Sequence, residues 1–183
     1  MIIQTILKEW SSAIRFYEDT GIPLIFRKGG IHEKTFQNVE SYFGIFETYE
    51  HESKTTVKPE YSKYLSETSV SYPGYFNLLY IGKIKNTLLI DTIDKLDFLD
   101  QYHLWEKSYL IDRFNFRQKN PLYCYLIELN KMNTSKVVEY EPEEARGCLS
   151  WFKIKEKIKV NQFKLINDST KEKELNKLFT KLS

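Results

Sequence analysis

The sequence predicts an α+β fold: a single domain in which a mixed or mainly antiparallel sheet is flanked by N-terminal, central and C-terminal helices. Three patterns predict it. Residues 75–84 and 122–129 are apolar on both faces, as strands in the middle of a covered sheet are. In residues 151–160, Phe152, Ile154, Ile158 and Val160 alternate with Lys153, Lys155, Lys157 and Lys159, the period of a half-buried strand. Near both chain ends and around residues 91–114, apolar positions recur at the spacing of amphipathic helices.

Taken in order, Ile6, Trp10, Ala13, Ile14 and Tyr17 place an amphipathic helix at the start, stopped by Gly21 and Pro23. Residues 22–28 and 42–48 read as short strands, and the arm between them is too long for a two-residue hairpin loop. Lys58-Pro59-Glu60-Tyr61 opens a short helix to about residue 67. Strand 75–84 is followed by a turn at Lys85-Asn86 and a second strand, 87–90. Asp91-Thr92-Ile93-Asp94 sets carboxylates in the first turn of a helical region that runs, with one break, to about residue 114. Asn120-Pro121 ends it. Strand 122–129, a turn at 130–134, strand 135–140 and the lysine-rich strand then follow. Ser169-Thr170-Lys171-Glu172 is a capping box opening a last helix, with Leu175, Leu178, Phe179 and Leu182 as its buried stripe.

Hydrophobic residues make up 42% of the 183 positions and charged residues 28%, the balance of a folded globular chain with one core over residues 1–183. The net charge of +2 hides a basic tail: residues 146–183 hold ten Lys/Arg against four Asp/Glu, just after the acidic patch Glu139, Glu141, Glu143 and Glu144. Cys124 and Cys148 are the only cysteines, so a disulfide framework is not implied and zinc would need other ligands. With neither a secretory segment nor an apolar run of spanning length, the expectation is a cytoplasmic protein without a membrane partner.

A family resemblance rests on short motifs in a fixed order. Lys8-Glu9-Trp10 is followed by Arg27-Lys28-Gly29-Gly30-Ile31 with Glu33, then Thr48-Tyr49-Glu50-His51 and Lys58-Pro59-Glu60-Tyr61. His103-Leu104-Trp105, Tyr109, Arg113, Lys119, Pro121-Leu122-Tyr123 and Gly147-Cys148-Leu149-Ser150-Trp151 complete the set. In these residues the chain resembles the domain of unknown function 1802 family over about residues 5–153, leaving the basic strand and last helix, 151–183, as a further segment. The chain departs from the family pattern at Glu47, where Pro is usual, and at Glu52, where Gln is usual. Glu52 keeps the hydrogen-bond acceptor of Gln and loses its amide donor. The resemblance implies kinship and marks the segments on which the pattern is built; it implies no reaction.

Residues 24–52 organise the candidate chemistry. Arg27-Lys28-Gly29-Gly30 is suited to an anion, because glycines let backbone N–H groups approach a phosphate while two cations neutralise it; an ordinary turn with solvated cations has the same composition. It is not a Walker loop, lacking the Gly-Lys-Ser/Thr that would follow. Glu33, Glu50, His51 and His103 are the candidate catalytic residues, as acid–base groups or ligands of Mg²⁺ in a metal-dependent phosphodiesterase. On an extended strand, however, Glu50 and Glu52 share one face and His51 takes the other. Lys153, Lys155, Lys157 and Lys159 repeat at about 7 Å, a spacing able to track a phosphate backbone and equally able to protect a sheet edge. Three function classes follow. The leading one is a nucleic-acid-associated domain binding DNA or RNA phosphates through Arg27, Lys28, Gly29, Gly30, Arg113 and the four lysines, with aromatics stacking on bases. The others are the Mg²⁺-dependent nuclease and a non-catalytic small-molecule or protein-interaction module.

Overall fold

In the computed structural model, residues 1–28, 42–49, 52–65, 73–117, 119–145 and 150–183 are described. The elements in order are β1 (Ile2–Trp10), α1 (Ser11–Thr20), β2 (Leu24–Lys28), β3 (Phe43–Thr48), a 3₁₀ turn at Pro59–Tyr64, β4 (Tyr75–Ile90), α2 (Asp94–Leu99), α3 (Lys107–Asn115), β5 (Leu122–Glu139), β6 (Trp151–Lys159), β7 (Phe163–Leu165) and α4 (Ser169–Leu182). One mixed sheet of seven strands runs β2-β5-β4-β3-β1-β6, with β7 beside the distal half of β5. All pairings are antiparallel except β1 with β3. The fold is α+β, as the apolar runs of β4 and β5 lead one to expect.

The first element corrects the sequence reading. Ile6 and Trp10 lie in a strand, and only Ala13, Ile14 and Tyr17 are helical. The β-branched start Ile2-Ile3-Gln4-Thr5-Ile6 is drawn into the sheet by partners on both sides, β3 and β6, and tertiary pairing overrides a helical spacing. Helix α1 ends where expected. Gly21 adopts φ 67°, its N–H donates to the Tyr17 carbonyl, and an added Cβ would lie 2.6 Å from the Asp168 backbone nitrogen. The last helix begins one residue earlier than the capping box suggests: Asp168, not Ser169, is the cap, its carboxylate accepting from the N–H groups of Thr170 and Lys171.

Two expected turns are bulges inside continuous strands. At Lys85 one residue of β4 has no partner, between Ile84↔Ile127 and Asn86↔Leu126. On β5 only Leu79 lies opposite the stretch between Lys131 and Lys136. Bulges sharpen bend and twist, and the sheet curls over itself. A single apolar core accordingly holds Leu7, Phe43 and Ile45 from one end of the strand order together with Leu24, Ile25, Phe26, Leu122 and Leu126 from the other. A second cluster, Ile3, Ile6, Leu78, Ile81, Val138, Phe152, Ile154 and Ile158, fills the opposite side. Trp10, Trp105 and Tyr109 join the first core, with Trp10 set edge-on to Trp105 at 5.0 Å between ring centroids.

Candidate functional site

Curling brings β2 against β1, a strand four places away in the sheet. Arg27, near the end of β2, donates from Nη2 to Glu9 Oε2 at 3.0 Å and to the Lys8 carbonyl at 2.7 Å, and from Nη1 to its neighbour's carbonyl on Phe26 at 3.0 Å. Glu9 is 2% exposed, and its second oxygen accepts from the Trp10 N–H. Burial opposes the guanidinium charge, but Glu9, together with the Tyr17 and Tyr109 phenols, outweighs it and the Arg27 pKa is raised. Arg27 Nε is buried without an acceptor among the described residues. Tyr17 donates to the Leu24 carbonyl beside this pair, and burial pushes its phenol well above the usual range.

The family-motif segments assemble around this ion pair. Lys8 N–H donates to the Ser150 carbonyl and Leu7 pairs with Trp151. Lys58 N–H donates to the Leu104 carbonyl, and Val57 bridges Trp105. Thr48 Oγ1 donates to the Glu9 carbonyl at 3.4 Å. The Trp10 cap of α1 has no side-chain oxygen, and Glu52 supplies the missing acceptor, taking the Ser12 N–H at 2.8 Å from 40 residues further along. The role visible for Glu52 is thus an acceptor's, which Gln would share. Its Oε2 and the Ser12 Oγ are buried without partners. Glu47 accepts from Ser11 Oγ at 3.2 Å, and burial raises its pKa.

Of the candidate catalytic residues, Glu33, Glu50 and His51 lie outside the described residues, as do Gly29 and Gly30. His103 is 1% exposed and stands edge-on to Phe26 at 5.2 Å, next in sequence to Arg27. Among the described residues neither ring nitrogen makes a well-formed hydrogen bond, although the backbone of Trp105 and of His103 itself lies close enough to favour the protonated ring slightly. Burial, assisted by the charge of Lys58, lowers its pKa to about 3, so the ring is neutral at pH 7 and poorly matched to acid–base work there. Cys124 is likewise buried, and burial pushes its thiol up. Among the described residues no group of three or more His, Cys, Asp or Glu could hold a metal ion.

The phosphate candidates divide. Strand alternation turns Lys28 away from the face of Arg27 and towards α3, where its ammonium donates to the Phe114 carbonyl at 2.5 Å and lies 5.6 Å from the Phe114 ring centroid. Arg113 donates to the Tyr109 hydroxyl at 3.0 Å and stacks over that ring at 5.6 Å, while its Nε is buried without an acceptor. Partial burial first, and then the charge of Arg113, lower the Lys28 pKa. Neither cation has a carboxylate in ion-pair range among the described residues, whereas Arg27 has Glu9. Two like charges held together without a counter-ion suit an anion.

Lys153, Lys155, Lys157 and Lys159 are all exposed on β6, at the edge of the sheet. Strict alternation fails in the middle: only Gln4 lies opposite the stretch between Lys153 and Ile158, so Lys155, Glu156 and Lys157 are exposed in succession. Lys155 pairs with Glu141 and Glu156 with Lys136, each at 2.5 Å. The acidic patch before the strand therefore neutralises part of the stripe.

Fold and site together define a curled α+β sheet protein whose interior is bolted by a Glu–Arg pair and which, beside α3, carries two cations with no carboxylate partner among the described residues. The chain belongs to the family described as Domain of unknown function (DUF1802), whose model matches residues 6–176. That span goes past the motif-bearing region and takes in β6, β7 and part of α4. No curated protein and no solved structure matches the chain. Among the described residues, no helix is long and apolar enough to cross a membrane.

Glu9 and Tyr109 stand in the sequence motifs without an evident role. The signal that could have found Glu9 is a carboxylate near the end of an otherwise apolar run, with a basic pair in a second such run.

Proposed function

We propose that this protein is a nucleic-acid-associated binding domain whose principal phosphate contacts are made by Lys28 and Arg113. The observation that carries the reading is their juxtaposition, without a carboxylate for either among the described residues and with the Arg113 Nε–H lacking an acceptor there. A buried donor left unpaired is costly, and a phosphate oxygen is an acceptor of the right charge. Arg27 then serves as the anchor: tied to Glu9 and two carbonyls, it fixes the end of β2 and so presents Lys28 to α3. The lysines of β6 are a secondary basic surface, in which Lys155 is already paired with Glu141 and all four protect a sheet edge.

The test is equilibrium binding of a labelled oligonucleotide across a salt series. Affinity should fall steeply between about 50 and 200 mM salt, and Lys28→Gln with Arg113→Gln should flatten the log–log slope by about 1 for each phosphate no longer neutralised. No binding at low salt, or a slope indifferent to both substitutions, would overturn the reading.

A further inference from the structure

We infer that the strand bound at this corner is single, with a base stacked on Phe116; the inference rests on the phosphate reading above. Phe116 lies just past the end of α3, and it is 60% exposed. An isolated exposed Phe is unremarkable, but this one has a specific setting. Arg117 takes φ 45°, the left-handed region a non-glycine residue enters at some cost, and its guanidinium lies 5.1 Å from the Phe116 ring centroid. The Asn120 N–H closes the turn onto the Arg117 carbonyl at 2.8 Å, and two residues on Leu122 pairs with Lys28. Along the chain, Phe116 thus falls between Arg113 and Leu122, the strand partner of Lys28.

The charge of the segment is one-sided. From Arg113 to Leu122 there are three cations, Arg113, Arg117 and Lys119, and no carboxylate. An exposed ring backed by a cation and set in a basic surround matches a polyanion whose flat faces are open. In a duplex those faces are covered by neighbouring base pairs, and in a single strand they are free. Arg117 occupies part of the ring, and the exposure that remains is surface for a base.

The experiment uses the full chain with three probes of equal length: an oligothymidine, the same backbone without bases, and an oligothymidine–oligoadenine duplex. Phe116→Ala should weaken oligothymidine binding about 5- to 100-fold and leave affinity for the abasic strand unchanged. Phe116→Tyr should retain the wild-type preference, and thermal melts should show both variants folded. Equal losses on the oligothymidine and abasic strands, or tighter wild-type binding to the duplex, would overturn stacking while leaving the phosphate reading intact. Failure of all three probes to bind at low salt would remove both.

Discussion

A histidine buried away from water makes the folded state sensitive to acid. His103 has a folded pKa of about 3 against about 6.5 for an unperturbed imidazole, so below pH 6.5 the unfolded chain binds a proton that the native protein refuses. Stability is thus lost as pH falls from 6.5 towards 3, by roughly 2 kcal/mol at pH 5 from this group alone. Urea denaturation at pH 7 and pH 5 should show that drop in the wild type and a smaller one in His103→Phe, which keeps the edge-on packing against Phe26. An unchanged pH dependence in the variant would mean that the ring finds a proton acceptor. Lys58, which donates to the Asp100 and His103 carbonyls, reinforces the effect by repelling an imidazolium, while Asp100 opposes it. The motif His103-Leu104-Trp105 was visible in the sequence and this role was not. A histidine's chemistry depends on whether water reaches it, and that is settled by the packing of β2, a segment some 75 residues away.

At the scale of elements, α1 owes its start to a residue outside itself. Trp10 offers no capping oxygen, and Glu52 reaches the Ser12 N–H instead. Glu52→Ala should cost about 1 kcal/mol, while Glu52→Gln should retain most of the stability because the accepting oxygen is kept; chemical denaturation measures both. If the Gln variant loses as much as the Ala variant, the carboxylate charge at the helix N-terminus is what matters. Elements with local signals were legible in the sequence. Gly21 marked the end of α1 because only a residue tolerant of positive φ suits that turn, and the apolar runs of β4 and β5 marked the middle of the sheet. The misreadings share a cause. Lys85-Asn86 and residues 130–134 carry turn residues, and those residues serve a bulge as readily as a chain reversal. Likewise, the spacing of Ile6 and Trp10 suited a helix until the partners of β1, supplied from residues 43–48 and 151–159, were known.

The Glu9–Arg27 pair belongs to the molecule as a whole, since it joins two parts of the sheet that no ladder of backbone bonds connects directly. Arg27→Met strands a buried carboxylate and should cost about 3–5 kcal/mol, whereas adding Glu9→Gln should recover a substantial part of that loss, because the uncompensated charge goes with it. A double-mutant cycle in urea checks this; strictly additive losses would show that the two side chains act separately. The two members of the proposed site, Lys28 and Arg113, could be suspected from composition. That they meet could not, because the meeting depends on how far the sheet curls.

Pairing of β1 with β6 also sets an order of events in time. Met1 donates to the Val160 carbonyl, and Ile2 lies opposite Lys159, so β1 completes its pairing with a strand synthesised long after it. Until residues 151–159 emerge, the apolar edge of β1 waits unpaired on the nascent chain. Closure must wait until β6 has been synthesised, and with so many pairings between residues distant in sequence it falls in the slow regime of roughly milliseconds to seconds. A chain halted before β6 would leave the ribosome with an adhesive first strand, a natural substrate for chaperones.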